Sequence, residues 1–219
     1  MIKAVVFDMD GVVVDSEPLY QQAQVRLFAE IGVTIPEEDW KLFRGMTEND
    51  YYEFVGRRYN LSGQLGQLRR RGRQYVQELF EAQLQFMAGF TSLQRLLQGR
   101  YRLGLVTSTA SDLYQVVNDK LQLGPFFEEV VCGEMTINSK PHPEPYLEIM
   151  RRLEIAPHET VVVEDSIHGL NAARDSGAWT IALTGSVPRE DMPPVHAIIE
   201  SLEELSPGYI DNLASMVAG

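Results

Sequence analysis

The sequence is poor in the features that mark secreted and membrane-spanning proteins. It has one cysteine, Cys132, among its 219 residues, so it can form no intramolecular disulfide, which is typical of a reducing compartment. Cys132 lies in an apolar run and is interpreted as a buried packing thiol. The apolar N-terminal stretch is broken by Asp8 and Asp10, and no segment reaches the roughly 18 unbroken apolar residues of a membrane span. We therefore expect a cytoplasmic protein without a membrane partner.

Positive charge is also scarce. The chain has 19 lysines and arginines against 31 aspartates and glutamates, a formal net charge of −12, which argues against a general affinity for nucleic acid or anionic membranes. No pair of its four histidines has the spacing of a zinc motif, and the sequence contains neither a Walker A loop nor a dinucleotide fingerprint. The hydrophobic content of 44% is ordinary and allows one domain, or one domain with an inserted lobe.

The first fifteen residues contain the most informative pattern. Residues 4–7 form a short apolar run rich in β-branched side chains, which predicts a buried strand. The run ends in Asp8, Asp10 and Gly11. Because side chains alternate along a strand, the two carboxylates begin on the same face, where they repel each other and resist desolvation. A bound cation or a shared proton would relieve this repulsion.

Two regions of different character follow. Residues 16–88 show helical periodicity and no convincing strand. From residue 89 onwards, helical segments alternate with apolar runs that predict strands at 103–107, 129–132, 160–164 and 179–183, and this alternation is typical of parallel βαβ units. Residues 192–195 predict a loop, and the C-terminus a final helix. We therefore predict an α/β fold with a doubly wound parallel sheet, in which a core domain of residues 1–15 and 89–219 carries an inserted all-helical domain of residues 16–88.

Polar residues follow the predicted strands, and ligands bind at the carboxyl ends of strands in such sheets. The residues found there are Asp8, Asp10, Thr107, Ser108, Lys140, Glu164 and Asp165. Four carboxylates at the ends of two strands predict a divalent cation, and hard oxygen ligands suit Mg²⁺. The Thr107 hydroxyl, the backbone N–H groups beside it and Lys140 are groups of the kind that bind a phosphoryl group. The set as a whole favours phosphoryl transfer.

These residues form four motifs that resemble those of the haloacid dehalogenase-like superfamily, in its phosphatase and phosphomutase branch. In order, the motifs are Asp8-Met-Asp10-Gly-Val-Val-Val-Asp15, Leu105-Val-Thr107-Ser108, Lys140-Pro-His-Pro-Glu-Pro-Tyr146, and Val163-Glu164-Asp165-Ser166 with Gly169. The resemblance covers essentially the whole chain and includes a helical cap inserted after the first motif.

The resemblance implies a Mg²⁺-dependent hydrolase that works through an aspartyl-phosphate. Asp8 is the expected nucleophile, and Asp10 the expected general acid and base. The Asp8 carboxylate, the Asp10 carbonyl and Asp165 are expected to hold Mg²⁺. Glu164 is expected to be a further ligand or to lie close behind the ligands.

The resemblance also implies the groups that bind the substrate. Thr107 and the backbone of Ser108 are expected to bind the phosphate, and Lys140 to neutralise the charge that Asp8 and the phosphate share. Arg44 precedes Gly45-Met46-Thr47, a position similar to the family's substrate-facing cap loop, and is expected to contact the rest of the substrate.

We expect the substrate to be a small phosphorylated metabolite, a sugar phosphate first of all, and the protein to be a monomer or a weak homodimer. One alternative is a phosphomutase of the β-phosphoglucomutase type. True members of that type have a histidine where Tyr20 aligns and an arginine where Glu48 aligns, and these two departures favour a hydrolase. The second alternative is a non-catalytic module that binds a phosphorylated ligand.

Overall fold

The computed structural model describes residues 1–43 and 48–217 of the chain. They divide into two compact units. We call Met1–Asp15 together with Gln85–Gly219 the sheet unit, and Ser16–Leu84 the helical unit. The boundary falls before Gln85, whereas the sequence pattern predicts it at residue 89.

Residues 85–88 belong with the sheet unit because their backbone pairs with the segment after the first strand. The Asp15 N–H donates to the Gln85 carbonyl (3.0 Å), and the Met87 N–H donates to the Val13 carbonyl (2.9 Å). The long helix of the other unit was predicted to end near Ala88. It ends five residues earlier because these contacts, which are distant in sequence, hold the chain in an extended form.

The described residues of the helical unit contain four α-helices and no strand. The helices are α1 (Glu17–Glu30), α2 (Glu37–Phe43), α3 (Glu48–Arg58) and α4 (Leu65–Gln83). Helix α4 buries apolar residues at helical spacing, namely Leu68, Tyr75, Val76 and Phe80, and this stripe packs mainly against α1. Arg44 lies outside the described residues, so its expected contact with the substrate stays a prediction.

The sheet unit contains six parallel strands. They are β1 (Ala4–Asp8), β2 (Arg102–Val106), β3 (Glu129–Val131), β4 (Thr160–Glu164), β5 (Trp179–Leu183) and β6 (Ala197–Ile199), in the spatial order β3-β2-β1-β4-β5-β6. The predicted doubly wound parallel sheet is confirmed. Strands β1 and β4 lie at its centre and are buried throughout, as expected of strands covered on both faces. Strand β6 was not predicted.

The helices of the sheet unit alternate with its strands, except that the described residues between β5 and β6 form no α-helix. They are α5 (Phe90–Leu97), α6 (Ser111–Leu121), α7 (Glu144–Leu153), α8 (Ile167–Asp175) and α9 (Pro207–Val217). Helices α7 and α8 pack on strands β2, β3, β4 and β5, and the core between these layers includes Val6, Ile149 and Val162. Within the described part of the chain, no helix combines the length and apolar character needed to cross a membrane.

Candidate active site

The site begins with the turn that follows β1. Asp8 is the last residue of β1 and is 7% exposed, whereas Asp10 is half-buried. The Met9 carbonyl accepts hydrogen bonds from the N–H groups of Val13 (2.9 Å) and Val14 (3.0 Å), which closes the turn. Gly11 adopts a φ of +78° in this turn, a conformation that strains residues with a Cβ. The turn keeps both carboxylates at the carboxyl edge of the sheet.

Lys140 connects the ends of β1 and β4. Its ammonium group donates to Asp8 Oδ1 and, over 2.9 Å, to Glu164 Oε1. The Tyr146 hydroxyl donates to the same Glu164 oxygen (3.2 Å), and its ring centroid lies 4.9 Å from the Lys140 nitrogen. Lys140 is 5% exposed, and Glu164 and Tyr146 are completely buried. Burying charged groups is costly unless they are paired, so these contacts hold Lys140 firmly against Asp8.

Burial and neighbouring charges shift the ionisation of this cluster. Burial raises the pKa of Asp8 to about 8, with smaller contributions from the charges of Glu164 and Asp10, while Lys140 opposes the rise. Burial alone would lower the pKa of Lys140, but the charges of Asp8 and Glu164 outweigh it and raise this pKa well above its usual value. Lys140 therefore stays cationic, and Asp8 needs further positive charge to be ionised at neutral pH.

Both oxygens of Glu164 are engaged by donors. In addition to the contacts with Lys140 and Tyr146, Oε2 accepts the N–H groups of Asp165 and Ser166 (2.7 Å each) and the Ser166 hydroxyl (3.0 Å). A Cβ at Gly169 would lie 1.5 Å from Oε1, so only glycine leaves room for this carboxylate at the start of α8.

The carboxylate of Glu164 faces Lys140 and backbone N–H groups. In residues 1–43 and 48–217, no three acidic, histidine or cysteine side chains converge closely enough to hold a metal ion. The expected set of metal-binding residues, Asp8, Asp10, Glu164 and Asp165, stays a prediction.

Asp165 approaches the turn after β1 from the next strand. It follows β4 directly and is 4% exposed. Its Oδ2 accepts a hydrogen bond from the Ser186 hydroxyl. A Cβ at Gly11 would lie 2.1 Å from the same oxygen, so the absence of a side chain at Gly11 lets Asp165 lie against the turn that carries Asp8 and Asp10.

The hydroxyl groups after β2 are directed at Asp10. Thr107 is buried, and its Oγ1 donates to Asp10 Oδ2 (3.3 Å). Thr109 Oγ1 donates to the same oxygen (2.9 Å), and the Thr109 N–H donates to Thr107 Oγ1 (2.9 Å). Ser108, between them, is exposed. The structure thus brings Thr107 beside the acidic turn, as the sequence predicted, and leaves Ser108 open to a ligand.

Three residues of this site were not singled out from the sequence. Tyr146 closes the third motif, so its position offered a signal, although nothing in the sequence indicated that its hydroxyl contacts Glu164. Thr109 lies two residues beyond Thr107 and shares its hydroxyl chemistry. Ser186 had no sequence signal, since it lies in a polar loop after β5.

The comparisons with known proteins agree with this arrangement. The family model described as haloacid dehalogenase-like hydrolase matches residues 5–183. A phosphorylated carbohydrates phosphatase of Thermotoga maritima is 31% identical over 177 residues, covering 80% of this chain and 82% of the relative. Hexitol phosphatase B of Escherichia coli K12 is 27% identical over 220 residues, covering 94% and 95%.

A solved structure supports the fold independently. The HAD hydrolase, family IA, variant 3 of Entamoeba histolytica superposes with a TM-score of 0.85 at 19% identity, covering all of both chains. At that identity the likeness concerns the fold alone. The family model, however, spans most of the chain, from β1 to the end of β5, and the resemblance inferred from the four motifs is confirmed. The chain therefore belongs to the haloacid dehalogenase-like hydrolases.

Proposed function

We propose that this chain, a phosphoric monoester hydrolase, is a Mg²⁺-dependent phosphatase that hydrolyses a small phosphorylated sugar through an aspartyl-phosphate on Asp8. The observation that carries the proposal is the buried contact of Lys140 with Asp8 at the end of β1. A lysine held against one carboxylate of an acidic turn supplies a fixed positive charge where a phosphoryl group and a nucleophile would meet.

In the first half-reaction, Asp8 attacks phosphorus while the bond from phosphorus to the ester oxygen breaks. Asp10 gives its proton to the departing oxygen, so the alcohol leaves neutral. Thr107 contacts Asp10 in the absence of substrate, and its hydroxyl turns to the phosphate when substrate binds. The Ser108 N–H donates to a second phosphate oxygen, and Lys140 neutralises the added charge.

In the second half-reaction, Asp10 accepts a proton from water as the water attacks the phosphorus bound to Asp8. The bond between Asp8 and phosphorus breaks, and inorganic phosphate leaves. The Thr109 hydroxyl donates to Asp10 Oδ2 (2.9 Å) and holds this carboxylate in position. Glu164 holds Lys140 in place through both half-reactions.

The donor set fits Mg²⁺. The side chains of Asp8 and Asp165 and the carbonyl of Asp10 are hard oxygen donors, and the absence of a side chain at Gly11 brings Asp165 against the turn that carries the other two. Mg²⁺ is commonly held by one or two carboxylates, with waters and substrate phosphate completing its shell. When bound, the ion would neutralise the charge of the transferring phosphoryl group.

A phosphorylated sugar is proposed because the relatives named above act, by their names, on phosphorylated carbohydrates and on a hexitol phosphate. Hydrolysis is preferred over isomerisation because Glu48, which aligns with a mutase arginine, accepts two hydrogen bonds from Arg73 (2.8 and 2.6 Å). This position offers no cation to a second phosphate. We further propose that the helical unit, including Arg44, selects the substrate.

The test is phosphate release from a panel of phosphorylated sugars, hexitols and short acids, with Mg²⁺ and with EDTA. We expect Mg²⁺-dependent release, and none above background from Asp8→Asn, which keeps the shape of the side chain but removes the nucleophile. Asp119→Asn, on the exposed face of α6, is the matched control and should behave as wild type. Near-wild-type hydrolysis by Asp8→Asn would overturn the mechanism. Isomerisation of β-glucose 1-phosphate, followed by ³¹P NMR, would instead indicate the mutase.

A further inference from the structure

We propose that Ser186 is a positioning residue for the metal site: its hydroxyl fixes the carboxylate of Asp165 in the orientation that binds Mg²⁺. This inference rests on the proposed function, since it requires that Asp165 is a metal ligand. It adds a residue that lies outside the four motifs, in the loop after β5.

Sheet topology explains why the two residues meet although 21 positions separate them. Strands β4 and β5 are parallel neighbours, and Glu164 pairs with Ala182. The loops that follow them therefore leave the sheet at the same edge. Asp165 is the first residue of one loop, and Ser186 lies four residues beyond Ala182 in the other, before the short turn at Arg189–Asp191.

The contact between Ser186 and Asp165 involves one carboxylate oxygen, Oδ2. The half-buried Ser186 donates its hydroxyl proton to Oδ2 of Asp165. The same oxygen lies against Gly11, where a Cβ would be only 2.1 Å away. The Ser186 hydroxyl and the backbone of the turn that carries Asp8 and Asp10 therefore both hold the Oδ2 side of this carboxylate.

Fixing a ligand before the metal arrives should strengthen binding. A carboxylate that is already oriented loses less rotamer freedom when it binds a cation. Groups that hydrogen-bond metal ligands typically change metal affinity by about 10–100-fold when they are removed. A different role of Ser186 predicts the opposite result. If its hydroxyl only compensated the buried charge of Asp165, it would compete with the cation, and its removal would tighten Mg²⁺ binding.

The direct readout is the Mg²⁺ dissociation constant, measured by isothermal titration calorimetry on EDTA-treated full-length protein. For Ser186→Ala we expect binding about 10-fold weaker than in wild type. Ser186→Thr, which retains the hydroxyl, should restore binding close to wild type. Val187→Ala, in the same loop, is the matched control for loop loosening and should leave the affinity unchanged. Thermal unfolding without metal checks that each variant is folded.

The outcomes separate this inference from the proposed function. Unchanged or tighter Mg²⁺ binding by Ser186→Ala, while wild type binds Mg²⁺ and releases phosphate, overturns the role of Ser186 and leaves the phosphatase standing. No Mg²⁺ binding by wild type overturns both. Weakened binding by Val187→Ala to the same extent as by Ser186→Ala would also overturn the inference, because loop packing would then explain the loss. If Ser186→Ala does not fold, Ser186→Cys, a near-isosteric weak donor, carries the same expectation.

Discussion

The sheet unit concentrates buried charged side chains at one edge, whereas the described core of the helical unit contains a cluster of aromatic rings and the buried carboxylate of Asp39. At the carboxyl edge of the sheet, one lysine and three carboxylates are at most 7% exposed, namely Lys140, Asp8, Glu164 and Asp165. Removing such groups from water costs free energy that their pairing often does not return, and apolar side chains of similar size are frequently more stable. The edge of the sheet therefore carries a stability cost, which its chemical role explains.

Aromatic packing dominates one part of the helical unit. Phe28 packs against Trp40, Phe43 and Tyr59, with ring centroids 6.2, 6.2 and 5.8 Å away. The unit also carries ion pairs between side chains that are all more than a third exposed: Arg26–Glu78, Arg71–Glu30 and Arg73–Glu48. Burial of apolar surface stabilises this unit, and its exposed charges contribute little. Substitutions at the sheet edge should therefore alter chemistry, whereas substitutions in the aromatic cluster and at the exposed ion pairs of the helical unit should alter only stability.

Lys140→Met should have the largest effect. It leaves Asp8 and Glu164 buried without their cation, so we expect kcat to fall by about 10²–10³-fold and the free energy of unfolding by about 3–5 kcal/mol. Phosphate release and urea unfolding measure the two quantities. Lys120→Met, on an exposed position of α6, is the control and should change neither. Wild-type activity of Lys140→Met would remove the basis for treating the buried charges as catalytic.

Phe28→Ala tests the other half of the comparison. Phe28 is 2% exposed, so truncating it should lower the free energy of unfolding by about 3–5 kcal/mol. The affinity of the sheet unit for Mg²⁺ should stay at the wild-type value, because the substitution removes no group from that site. Phe54→Ala is the matched control in the same unit. Because Phe54 is only half-buried, its truncation should lower the free energy of unfolding by less than that of Phe28. A loss of Mg²⁺ affinity in Phe28→Ala would show that the two units are not energetically separate.

Tyr146→Phe should have an intermediate effect, with a loss of activity in addition to about 1 kcal/mol of stability. The ring remains beside Lys140, but Glu164 loses one donor, so Lys140 is held less firmly and kcat should fall by about 10-fold. Tyr101→Phe makes the same change at a hydroxyl that donates to Asp211 (2.7 Å). It should cost about 1 kcal/mol of stability and no activity. Equal kinetic effects of the two substitutions would argue against a positioning role for Tyr146.

Much of the fold was predictable from local sequence. Strands β1, β2, β4 and β5 are buried apolar runs, and such runs are recognisable without knowledge of their neighbours. Strand β6 has only three residues and follows a proline-containing loop, and its pairing with β5, such as Ile198 with Ala182, is a tertiary contact. The end of α4 was misplaced for the same reason: Phe86 pairs with Val14, more than 70 positions earlier.

The candidate site was predictable as a set of residues but not as a set of contacts. The motifs placed Asp8, Thr107 and Asp165 at the ends of neighbouring strands or directly after them, and Lys140 in the loop that follows β3, and the structure places them there. The sequence did not reveal which way Glu164 turns, because that depends on the space left by Gly169 and on donors from three separate segments. Side-chain orientation is decided by packing, which no single motif encodes.

The smallest effect is expected for Arg73→Gln. The Arg73 guanidinium donates to both oxygens of Glu48, but the two side chains are 47% and 38% exposed, so water competes for each charge. The loss of unfolding free energy should stay within about 1 kcal/mol and shrink further in high salt, as urea unfolding at two NaCl concentrations would show. Arg57→Gln breaks a still more exposed pair with Glu53. It should lower the free energy of unfolding by no more than Arg73→Gln does. A salt-insensitive loss as large as that of Phe28→Ala would mean that the helical unit, like the sheet edge, depends on desolvated charge.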